Sequence, residues 1–115
     1  MNQVDMTGWL DVDFYSAVWD LLVEKAGASK SADEKLSFVS AHARAEKYPC
    51  TEYRFCGSLG FGGKFRRKHD SWSIDCYPES ETPEILRTIA EVNAAILVLV
   101  EKHNPADLGA FRLTK

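Results

Sequence analysis

The sequence predicts an α+β fold in the order α-α-β-β-β-α, a three-stranded antiparallel meander packed against helices, and three observations predict it. Apolar residues recur at three- and four-residue spacing in two early segments and one late one. From Glu52 the pattern switches to a period of two, which recurs up to Tyr77. The breaks inside that alternating region are too short for a crossover helix, so neighbouring strands must run antiparallel. At 115 residues, with 45% hydrophobic and 11% aromatic content, the chain is expected to form one domain over 1–115 with a packed core.

The first helix is expected over Val12 to Ala26. Phe14, Val18, Leu21 and Leu22 share one face, Asp11 or Asp13 stands where a cap is wanted, and Gly27 follows as a stop. Trp9, Tyr15 and Trp19 add aromatic area that reads as core packing. After a polar linker at Ser29 to Ser31, Ser31 and Glu34 have capping-box spacing for a second helix, which carries Leu36, Val39 and Ala43 to about Ala45. Pro49 forbids helix beyond that point. His42, on the margin of this stripe, reads as a surface or boundary residue.

Tyr53, Phe55, Gly57 and Leu59 alternate with Glu52, Arg54, Cys56 and Ser58, which predicts a half-buried first strand. A second strand is expected near 60–66 around Phe61 and Phe65. The third runs from Trp72 to Tyr77, with Trp72, Ile74 and Cys76 on one face. Lys68-His69-Asp70-Ser71 would turn between them. Pro78 ends the sheet, and Thr82-Pro83-Glu84 begins a third helix with cap, first-turn proline and acid in order. Ile85, Ile89, Val92, Ile96 and Leu99 give this helix one apolar face, and Leu86, Ala90, Leu97 and Val100 widen it. Burying branched side chains at roughly 1.5–3 kcal/mol each makes it the expected main source of stability. So wide an apolar girth also predicts a homodimer through helix 83–103. Asn104-Pro105 closes the helix, and Leu108 to Leu113 is left as a turn or a short last strand.

A formal net charge of −3 argues against general coating of nucleic acid or anionic membrane. The longest apolar run, Ala94 to Val100, is too short to span a bilayer, and no secretory leader is read at the start. Three cysteines without close pairs, Cys50, Cys56 and Cys76, fit reduced thiols and a cytoplasmic setting, with a Cys56–Cys76 bridge as the minor alternative. No cofactor and no metal site is expected from the spacing of ligand-type residues.

The segment 57–69, Gly-Ser-Leu-Gly-Phe-Gly-Gly-Lys-Phe-Arg-Arg-Lys-His, stands apart from this acidic background. It fails as a phosphate loop, because Ser58 occupies the first glycine position and Phe65 follows Gly63-Lys64. Two readings fit it. In one, the glycines bend a strand, Phe61 and Phe65 pack inward and the basic residues are solvated. In the other, Phe61, Lys64, Phe65, Arg66, Arg67, Lys68 and Trp72 form a partner-binding surface on a cationic finger, meeting either the carboxylates of a protein or the phosphates of a nucleic acid. The best enzymatic set, His69, Asp70, Asp75 and Cys76, is divided, since Asp75 and Cys76 alternate to opposite strand faces. No nucleophile elbow is present, and Glu79, Glu81 and Glu84 are explained by a helix start. A non-enzymatic binding protein is therefore the leading expectation, ahead of a nucleic-acid-binding module and of a small enzyme or ligand-binding protein.

Gly60-Phe-Gly-Gly-Lys-Phe, Trp72-Ser-Ile-Asp-Cys-Tyr-Pro-Glu, Glu81-Thr-Pro-Glu and Asn93 resemble a small family of phage and prophage proteins, over about residues 52 to 98. The resemblance implies a mobile-element setting and, by association, an inhibitor of host defence in the style of anti-CRISPR proteins. Its partner would be a host protein or nucleoprotein complex in the host cytoplasm. The basic run departs from the acidic surface of a DNA mimic.

Overall fold

In this computed structural model the described residues are 11–43, 50–68, 71–103 and 110–114, and at 50, 51, 67, 68, 71, 72 and 110–114 the backbone alone is described. Helix α1 covers Val12–Ala26 and α2 covers Ala32–Ala43. Strands β1 (Cys50–Phe55), β2 (Phe61–Lys68) and β3 (Ser71–Pro78) follow, then α3 (Pro83–His103) and β4 (Ala110–Thr114). The α-α-β-β-β-α order and the three-stranded antiparallel meander are those the sequence predicts. Helix α2 is described as far as Ala43, and its expected end near Ala45, the expected turn residues His69 and Asp70, and Trp9 lie outside the described residues.

Local chemistry accounts for most boundaries. The Ile85 amide donates to Thr82 Oγ1 (3.3 Å), so Thr82 caps α3 as expected. Thr82→Ala should cost about 1 kcal/mol of unfolding free energy, read from the urea midpoint at unchanged slope. The Glu34 amide donates to Ser31 Oγ (3.4 Å), but the reciprocal half of the capping box is replaced: Tyr53 Oη donates to Glu34 Oε2 (3.0 Å). That bond ties the start of α2 to β1. At the start of α1 the expected side-chain cap from Asp11 is absent. Asp11 has φ 55, and its carbonyl accepts from the Tyr15 amide at 3.1 Å. Gly27 ends α1 with φ 71.

The sheet order is β1-β2-β3-β4. Glu52 stands opposite Arg66, Tyr53 opposite Phe65 and Phe55 opposite Gly63, and β2 then pairs with β3 through Phe65↔Ile74 and Gly62↔Tyr77. The fourth strand lies parallel to β3, from Ser71↔Ala110 to Asp75↔Thr114. A parallel partner needs a crossover, and α3 supplies it. The meander thus becomes a mixed four-stranded sheet.

One face of this sheet is covered. Phe55, Phe61, Phe65, Ile74 and Cys76 face a core shared with Phe14, Tyr15, Val18, Trp19 and Leu22 of α1 and with Phe38 and Val39 of α2. Two expectations need correction here. His42 is 0% exposed, stacked on Tyr15 at 5.4 Å and 4.8 Å from the Phe38 ring, so it belongs to the core rather than the margin. The β1 alternation stops at Phe55, and Leu59 is 52% exposed in the bend before β2. The weight of burial also shifts. Among described residues α1 buries six side chains and α2 four, whereas α3 buries only Ile89, Val92 and Ile96. Helix α3 is not the centre of the core.

Candidate functional site

The glycine-rich segment is not a finger. Its second half is β2, held on both sides by β1 and β3. Close packing explains its glycines: a Cβ on Gly57 would run into the carbonyls of Ala26 and Phe61, and one on Gly63 would stand 2.6 Å from both the Asp75 carbonyl and the Phe55 ring. The hairpin can seat against α1 only where side chains are missing.

Alternation then divides the candidate residues. Phe61 and Phe65 are 1% and 0% exposed. They are core residues, and the expectation that they anchor a partner is overturned by their burial. Lys64 and Arg66 point to the other face, and both meet Glu52: Lys64 Nζ lies 3.6 Å and Arg66 Nη2 3.3 Å from Glu52 Oε2. Partial burial would raise the Glu52 carboxyl, but Lys64 and then Arg66 outweigh it and hold it below the usual carboxylate range. Lys64 is further engaged 5.9 Å above the Tyr77 ring. Two of the four basic residues thus share one carboxylate, which offsets one of their two positive charges. Arg67 and Lys68 pair through the backbone with Trp72 and Ser71, and the side chains of Arg67, Lys68 and Trp72 lie outside the described residues.

The enzymatic set does not assemble. Cys76 is 1% exposed, while Asp75 is on the uncovered face. Burial pushes the Cys76 thiol up to about 11, with Asp75 adding to the rise, which makes it a poor nucleophile at neutral pH. Cys56 and Cys76 are both free thiols, so the bridge between them is not formed. His69 and Asp70 lie outside the described residues. Among the described residues no group of three or more His, Cys, Asp or Glu side chains could hold a metal ion.

The uncovered face offers a different site. Arg54, Cys56, Gly62, Tyr77 and Glu79 border a shallow trough of about 290 Å³, floored by backbone at Gly62 and Gly63. Tyr77 stands opposite Gly62 in the ladder and is 51% exposed. Arg54 is exposed and makes no ion pair among the described residues. Arg54 and Tyr77 were not among the residues the sequence singled out. The signal was there in the alternation: with Phe55 and Cys76 facing inward, their neighbours must face outward.

No helix of the described residues is long and apolar enough to cross a membrane. The chain matches no protein-family model, and neither the curated proteins nor the solved structures contain a match to it. The fold and site therefore define the molecule directly: an α+β protein whose sheet, among the described residues, is shielded by helices on one side and carries no helix on the other.

Proposed function

We propose that this protein is a non-enzymatic binding module whose open sheet face grips an acidic segment of another protein. The observation that carries this reading is the trough itself. A half-exposed tyrosine and an arginine with no ion pair among the described residues border a floor lined by Gly62 and Gly63. Tyr and Arg are the residues that most often dominate interface energy, and a floor without side chains admits an inserted residue. The Arg54 guanidinium suits a carboxylate, and Glu79, which also borders the trough, favours a cation or a hydrogen-bond donor beside it. Lys64 and Arg66 serve this face by holding its register and supporting Tyr77. Their engagement with Glu52 leaves them poor phosphate ligands, which counts against the nucleic-acid reading. The resemblance of residues 52–98 to phage proteins makes a host protein or nucleoprotein complex in the cytoplasm the expected target and inhibition the expected outcome.

The test is affinity capture from host lysate with tagged wild type, Arg54→Glu and Tyr77→Ser. Each variant changes an exposed residue and should leave the fold intact. Retention of the wild-type partner should fall at least about tenfold in each. The same partner held equally by all three proteins would remove the open face from the interface. Retention that vanishes with nuclease and falls steeply with salt would instead establish a nucleic acid as the ligand.

A further inference from the structure

Helix α3 leaves an apolar strip facing water. Leu97 is 41% and Val98 62% exposed, and Ala90 and Ala94 are exposed beside them. Ala94 lies on the side of the helix away from the buried line of Ile89, Val92 and Ile96. Arg87 precedes it by seven residues and Glu101 follows it by seven, and seven residues return to the same helix face within about 20°. The outermost line of α3 therefore reads cation, small residue, anion. Arg87 and Glu101 are both exposed, and neither makes an ion pair among the described residues.

This pattern is complementary to itself when reversed. We infer that α3 is the interface of a two-fold homodimer, packed antiparallel against α3 of a second copy with the axis passing at Ala94. An isologous contact requires each residue's partner to be met twice. Arg87 of each copy meets Glu101 of the other, giving two equivalent ion pairs. Leu97 of one copy lies over Ala90 of the other, a large residue against a small one on either side of the axis. Val98 lies along the aliphatic stem of Glu91, whose carboxylate stays at the rim. Ala94 meets Ala94, which lets the two backbones approach closely. The contact runs most of the length of a 21-residue helix, about 30 Å. The occupant is a second copy, because a foreign helix would have no reason to match a charge order that its own reversal satisfies. Helix α3 packs on the covered side of the sheet, so the dimer leaves both open faces free, and this inference stands independently of the proposed trough.

Sedimentation velocity over roughly 1–100 μM tests it. The wild type should pass from monomer to dimer in that range. Arg87→Glu or Glu101→Arg alone sets like charges together twice and should weaken the dimer at least about tenfold, and the double exchange should restore it to within about threefold. Val98→Asp should yield a monomer with an unchanged circular-dichroism spectrum. A wild type that stays monomeric at about 100 μM overturns the inference. So does a dimer indifferent to Val98→Asp, and so does one lost in Val98→Asp but unmoved by the charge exchange.

Discussion

Phe38→Ala is expected to destabilise the protein by about 3–5 kcal/mol, the range for truncating a buried aromatic ring. Phe38 is 0% exposed. Its ring lies 5.2 Å from Trp19 and from Phe65, 5.5 Å from Tyr53 and 6.4 Å from Tyr15. These partners come from α1, β1 and β2, so a single residue of α2 joins both helices to the sheet. Edge-to-face pairs such as those with Tyr15, Tyr53 and Phe65 add to the burial of area. With a typical domain stability of about 5–15 kcal/mol, the loss leaves little margin. The melting temperature should fall by more than about 10 °C, and Phe38→Leu should recover much of it. A loss below about 1 kcal/mol in urea would mean that α2 does not sit on this core.

Stability is also expected to fall in alkali. The Cys76 thiol, ordinarily at 9.0, is pushed up to about 11 by burial and then by Asp75. The Tyr53 hydroxyl, ordinarily at 10.0, is pushed up to about 12 by burial and by its hydrogen bond to Glu34. In both cases the folded state keeps a proton that the unfolded chain has released. Where the native state binds more protons, stability declines as pH rises. The contribution is therefore complete below pH 9.0 for Cys76 and 10.0 for Tyr53, and it is lost as pH climbs through about 11 and 12. The buried Cys76 thiol contributes a slope of up to about 1.4 kcal/mol per pH unit across its window, and the more exposed Tyr53 less. Urea unfolding of wild type and Cys76→Val at about pH 8 and about pH 11 should diverge, the variant losing on the order of 2 kcal/mol less between them. Parallel losses would show that the thiol is not buried as described.

The helices were legible because their signals are local. Gly27 and Thr82-Pro83 mark boundaries by their own backbone preferences. The strands were legible through alternation, although the run of Tyr53 and Phe55 gave no sign that Leu59 would leave the pattern. Features that depend on distant pairing were not readable. Glu52 pairs with Arg66 from fourteen residues away in sequence, and only the register brings them together. For Phe61 and Phe65 the sequence left two readings open, inward packing and a partner surface, and their burial selects the first. His42 looked marginal on its own helix because two of the rings around it come from α1 and β2, beside Phe38 of its own helix. The parallel placement of β4 depends on the path of α3 across the sheet, which no local pattern of residues 108–113 encodes.

Glu52 has a consequence beyond charge balance. One carboxylate meets a lysine and an arginine on the neighbouring strand, two residues apart, and so on the same face of the sheet. Sliding β1 by one residue would set Glu52 against Phe65 or Arg67 and turn the inward aromatics to water. Sliding it by two would keep the faces and set Glu52 opposite Lys64 or Lys68, with Arg66 still two residues away. Glu52 therefore guards the sheet against slips of one residue, which cost its ion pairs and the burial of the aromatics together.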